Sequence, residues 1–177
     1  MSGAGTVFLY SMPFGIPGAV TRMGNGVPSD VEAQIMDSGN PVLAYGLFGQ
    51  IDGTSQDFRE MGAGDTDVYG CLVRPFPSQP STAAGVSGSV PLGTAAVPPT
   101  SGAIDVLKMG YINVLLRGAT AAKKNGIVYV RINAADSTHP LGGCEAAADG
   151  GNTVAINAYF TGPADANGNV EIAFNIN

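Results

Sequence analysis

Apolar and polar positions alternate along most of this chain with a period of two, in short runs broken by glycine, proline and asparagine. Val31, Ala33 and Ile35 alternate within 31–36. Ser29 followed by Glu32 resembles a helix capping box, but Gly39 and Pro41 leave little room for a helix, so this run predicts a strand. A second strand is predicted over 41–50, with Leu43, Tyr45 and Leu47 on one face, and a third over 68–73, closed by Pro75, Pro77 and Pro80. Further strands follow at 104–108, 111–117, 127–132, 153–161 and 170–176. Asp52-Gly53, Asn125-Gly126 and Asn167-Gly168 mark turns between runs, and Asn-Gly suits a tight hairpin because both residues tolerate positive φ. The stretches 56–64 and 136–152 read as loops. Short strands at close spacing with turn signals predict an all-β barrel or sandwich with almost no helix.

Two segments depart from this pattern. Residues 1–28 read as an extended N-terminal arm: 11–18 holds two prolines and two glycines, which suit neither a helix nor a central strand. Phe8, Tyr10, Phe14 and Ile16 give the arm apolar teeth, which must lie on its own domain or on a neighbour's. Residues 29–177 then form the β domain or domains, a barrel or sandwich with a second, smaller β part. The second departure is the insertion at 76–102, rich in Ser, Thr, Ala, Gly and Pro and uncharged from Phe76 to Ile104. It reads as a flexible linker or as a long loop packed on a partner. Val86, Val90, Leu92 and Val97 favour partial order.

Composition adds a reason to expect assembly. Charged residues make up 12% of the 177, against about 25% in ordinary soluble domains. A surface so poor in charge suits a protein whose outer faces are covered by other subunits. The net charge is −6 and the longest basic run is Lys123-Lys124, which argues against nucleic acid as a direct partner. No apolar stretch approaches the ~20 residues of a membrane span, and 1–10 has no basic segment of the kind that opens a signal peptide. Cys71 and Cys144 are expected to be two buried thiols rather than a disulfide, in a protein made in a reducing cytoplasm.

Candidate chemistry is sparse. His139 is the one histidine, so any mechanism pairing a nucleophile with histidine runs through it; it lies among turn-formers in 136–143. Asp136, His139, Cys144 and Glu145 can be written as a metal set, but without the paired spacings of zinc motifs. Asp65 and Asp67 alternate as calcium ligands can, but the distal Glu of a calcium loop is absent, and an Asp-capped turn is the better reading. No catalytic, cofactor or metal site is assigned. Arg22, Arg74, Arg117 and Arg131 stand at strand ends or beside Pro and Gly. They are read either as solvated strand-end charges or as contacts to an acidic neighbouring subunit, where the planar guanidinium pairs well.

The order of these segments resembles a known family. The arm Pro13-Phe-Gly-Ile-Pro-Gly-Ala-Val-Thr-Arg22 precedes a strand containing Pro41-Val42. Val68-Tyr-Gly-Cys-Leu-Val-Arg-Pro-Phe-Pro77 follows, then Gly110 to Gly118, then Asn125-Gly-Ile-Val-Tyr-Val-Arg131. Together they resemble the structural cement, or decoration, proteins of tailed bacteriophages, over most of the chain from about residue 10. The resemblance implies a non-enzymatic virion protein without cofactor. Such proteins sit on the outer surface of the head and bridge neighbouring major capsid protein subunits. They are all-β homo-oligomers, for which a trimer is the first expectation and a dimer the next. The resemblance carries over no individual contact residue; the arm's apolar teeth and the strand-end arginines, Phe8, Tyr10, Phe14, Ile16, Arg22, Arg74, Arg117 and Arg131, are the chain's own candidates for capsid or subunit contacts. The alternatives are a tail- or fibre-associated or glycan-binding β module and, less favoured, an all-β enzyme.

Overall fold

The computed structural model describes residues 15–23, 26–75 and 97–176. Nine strands follow in chain order: β1 (Asp30–Met36), β2 (Phe48–Ile51), β3 (Phe58–Glu60), β4 (Gly70–Leu72), β5 (Gly102–Arg117), β6 (Ile127–Arg131), β7 (Cys144–Glu145), β8 (Thr153–Phe160) and β9 (Asn169–Phe174). No α-helix occurs among the described residues; the one helical turn is a 3₁₀ turn at Gly150–Asn152. The all-β expectation therefore holds.

The strands form two rings of pairings that share β5. In the C-terminal ring, β5 pairs with β7, β7 with β6, β6 with β8, β8 with β9, and β9 returns to β5, which closes a five-stranded barrel. In the N-terminal ring, β5 pairs with β1 and β4, β4 with β2, and β2 with β3. That ring closes through one pair between parallel strands, Met36 with Phe58. Residues 102–109 of β5 serve the N-terminal ring and 110–117 the barrel.

Side-chain alternation on the shared wall separates two cores. Leu72 and Val106 face a small core with Met36, Val42, Leu47, Phe58 and Ile104. Their neighbours Cys71 and Leu107 face the large core of the barrel, with Phe48, Ile112, Val114, Val128, Phe160, Ile172 and Phe174. Phe48 meets Phe174 edge to face at 5.4 Å between ring centres, so β2 of the N-terminal ring plugs the barrel. Such a wall tolerates no extra bulk. A Cβ on Gly70 would sit 2.4 Å from Val106 Cγ1, and one on Gly49 2.4 Å from Phe58 Cζ. Both cysteines are free thiols in the large core.

Several elements differ from their predicted bounds. The run at 41–50 is a strand only from Phe48; Gly46 has φ +79° and Leu43 is 64% exposed, so the apolar alternation there lies on a looped segment. The segments 104–108 and 111–117 are one continuous strand passing through Gly110, because the break in pattern at 108–110 is where β5 moves from one core to the other. β3 and β7 lie in stretches read as loops; three and two residues respectively are too short to show a period.

Candidate functional site

The N-terminal segment lies along its own barrel. Gly18 N–H donates to Asn113 O, Asn113 N–H to Ala19 O, and Thr21 N–H to Tyr111 O. Val20 forms an antiparallel bridge with Ile112. Asn113 thus gives both backbone groups to this segment, on the edge of β5 that β9 leaves open. Arg74 N–H, just past β4, donates to Gly18 O. Gly18 has φ +84° and a Cβ there would lie 2.7 Å from Tyr45 Cβ, so the close approach needs glycine.

Arg22 fastens the segment. Its Nε and Nη2 donate to Oε1 and Oε2 of Glu171 on β9, at 3.1 and 2.5 Å. Its guanidinium lies 4.2 Å from the Tyr111 ring centre. Thr21 Oγ1 and Thr161 Oγ1 also donate to the Glu171 carboxylate, at 2.6 and 2.8 Å. Burial pushes the Glu171 carboxyl up, but these hydrogen bonds and the Arg22 charge outweigh it, leaving its pKa below the usual value. The hydrogen bond to Glu171 raises Arg22 in turn.

The other predicted contact residues are scattered. Ile16 is 37% exposed beside the strapped segment. The Arg74 guanidinium lies 5.8 Å from the Tyr45 ring centre. Arg131 is buried in the barrel wall, with Nε and Nη2 donating to both oxygens of Glu145 at 2.7 and 2.9 Å and Nη1 to Asp149 Oδ2 at 2.6 Å. Arg117 and Arg131 share a cavity of about 180 Å³ with His139, Glu145 and Asp149. Burial alone lowers the Arg117 pKa, and no carboxylate among the described residues lies within ion-pair distance of it. Phe8, Tyr10 and Phe14 lie outside the described residues, as do 76–96 of the insertion.

The chemistry candidates resolve into local structure. His139 Nδ1 lies 3.2 Å from Asp136 Oδ1, and that oxygen also accepts the backbone N–H groups of Thr138 and His139, forming an exposed turn. Asp65 accepts Nη1 and Nη2 of Arg59, both at 2.9 Å, and the Gly62 N–H, so it caps a turn as read. Asp67 Oδ2 meets Thr66 Oγ1 at 3.4 Å. Cys144 points into the large core while Glu145 is committed to Arg131. No group of three His, Cys, Asp or Glu side chains among the described residues converges as a metal site. Glu171 was not legible as a site residue: nothing in its local sequence shows that a threonine and an arginine about 150 positions away meet it.

The model of the XM1 gp53 minor capsid protein family matches residues 5–174. The chain belongs to that family. It is a bacteriophage minor capsid structural protein, and its place is the virion. Its fold is similar to that of a chain in the solved capsid of Myoviridae phage XM1, with a TM-score of 0.63 and 19% identity over 98% of each chain. No match was found among curated proteins. The expectation of a phage head protein therefore stands at the level of the capsid.

Proposed function

We propose that this minor capsid protein is a cement: a homo-oligomer, trimeric or dimeric, that sits on the outer surface of the head and joins neighbouring major capsid protein subunits. It acts without a cofactor and without enzymatic chemistry, and it is made in the host cytoplasm. The observation that carries this reading is the family match across 5–174. Its architecture supports it. Two small rings built on one strand give a stiff body, and a low-charge surface suits coverage by other subunits. A clamp that binds the assembled lattice and not its free subunits stabilises the lattice by mass action. Several modest contacts from one oligomer add through effective concentration.

Purified heads lacking the protein, titrated with it and heated, test this. Saturable binding at a copy number comparable to the major capsid protein, with a raised disruption temperature, is the expected result. Binding without stabilisation makes it a passive decoration. A few copies per particle place it at a vertex or tail instead.

A further inference from the structure

Arg117 ends β5 without a carboxylate. Arg22, Arg59 and Arg131 each meet a carboxylate of the same chain at 2.9 Å or less. The barrel has none to spare for Arg117. Of the acidic residues in 110–176, Glu145 and Asp149 hold Arg131, Glu171 holds Arg22, and Asp136 and Asp165 cap their own turns. Arg117 Nε is shielded from solvent and bonds to nothing among the described residues. Its stem has a fixed bed: a Cβ on Gly143 would lie 3.3 Å from Arg117 Cγ, so glycine makes room for it. The side chain fronts the cavity of about 180 Å³, which the stretch 146–149 also lines. His139 turns Nε2 toward the same space, 3.4 Å from where a Cβ on Gly118 would sit, while its Nδ1 is held in the Asp136 turn. Glu145 and Asp149 border the cavity too, but both are engaged with Arg131.

We propose that this cavity takes one carboxylate, an Asp or Glu side chain of the capsid lattice, onto the Arg117 guanidinium, with His139 Nε2 beside it. This rests on the reading that the protein sits on the head. A half-buried cation with an unmade hydrogen bond lowers the stability of the free chain, and an entering carboxylate offsets that loss. The planar guanidinium suits a carboxylate better than any other single group. The distribution of charge lets an acidic partner approach. The net charge is −6, yet eight of the fourteen acidic residues lie in 30–67, where Arg59 is the one basic residue. The stretch 110–176 holds five acidic and four basic residues. The repulsion that an acidic partner meets is therefore concentrated on the N-terminal ring, while the cavity lies in the wall of the nearly balanced barrel.

The test has one arm on the isolated full chain and one on purified heads lacking the protein. Arg117→Met keeps the stem and removes the charge. In the isolated chain it should raise Tm, because an unpaired cation gives way to an apolar group of similar length. On heads it should weaken attachment at least about tenfold. An arginine that merely braces the barrel would instead lower Tm when replaced. Arg117→Lys keeps the charge without the planar fork and should attach with intermediate affinity; it is the second variant should Arg117→Met misfold. Lys124→Met, on an exposed side chain outside the cavity, should leave attachment unchanged. A lowered Tm for folded Arg117→Met, attachment indifferent to Arg117, or an equal loss from Lys124→Met would each overturn the proposal. A Tm of the unaltered chain that rises saturably with acetate or phosphate, with attachment indifferent to Arg117, would mark a site for a free ion instead. Heads that refuse the unaltered chain as well would end the cement reading and the lattice carboxylate with it; the Tm of Arg117→Met still decides separately whether the guanidinium is unpaired.

Discussion

The two rings share a strand and differ in how they close. The barrel returns to β5 through β9 along a six-pair ladder from Gly110–Phe174 to Leu115–Asn169, and its core holds Phe48, Phe160 and Phe174. The N-terminal ring closes at one residue pair and surrounds a smaller core. Ladder bonds and apolar burial are what resist local opening, so the barrel is the stable body and the N-terminal ring the part that opens first. The barrel also holds charges as matched pairs on its outer face, Arg131 with Glu145 under the following loop and Arg22 with Glu171 under the strap.

The largest expected effect tests the barrel's buried ion pair. Glu145→Ala leaves Arg131 buried with Asp149 alone; losing one partner of a buried pair costs about 3–5 kcal/mol. That amounts to a fall in Tm of roughly 10 °C in a chain of this size. A shift within a few degrees would mean that Asp149 and solvent suffice.

Matched truncations sharpen the contrast. Phe160→Ala in the large core and Phe58→Ala in the small core each remove a buried ring, at about 3–5 kcal/mol. Hydrogen exchange should show Phe160→Ala lowering protection throughout. Phe58→Ala should expose β1 and β3 first and leave β8 and β9 protected. The same amides opening in both variants would mean a single cooperative unit.

The junction between the rings comes next. Gly142 has φ +73°, accepts the Phe48 N–H at 2.9 Å and donates to Arg131 O at 2.8 Å, and a Cβ there would sit 2.1 Å from Phe48 O. Gly142→Ala should cost about 2 kcal/mol or more, from the left-handed backbone and the clash together, read by denaturant titration. An unchanged midpoint would mean that the loop can lift from β2 freely.

The smallest effect concerns the strap. Because Glu171 has a lowered pKa in the folded chain, its contribution is fully present above the ordinary carboxylate value of about 4.3. It fades as pH falls through the folded value. Arg22→Ala should cost about 1 kcal/mol, since Arg22 is 48% exposed. Thermal melts between neutral and acid pH should converge for the unaltered chain and Glu171→Gln only at the acid end.

How far the sequence revealed this follows from what each element depends on. The strands at 127–132, 153–161 and 170–176 read correctly because each has one face in the barrel core, so burial imposes alternation. β5 read as two because its inward face changes core at Gly110; the break in pattern is visible locally, but that one strand runs through it is a tertiary fact. The misread half of 41–50 shows the converse: Leu43 and Leu47 keep a strand-like period although Leu43 faces solvent. Among the candidate contacts, the strand-end arginines were visible as a group, but their partners were not. Arg131 and Arg22 are held by carboxylates of the same chain, Arg22 by one 149 positions away.

That separation has a consequence for synthesis. The strap residues Thr21 and Arg22 leave the ribosome before Tyr111 and Glu171, which hold them. The segment can be fastened only after β9 has closed the barrel. Ordering of the strap is therefore a sign of a closed barrel, and a nascent chain lacks the held segment of a finished subunit.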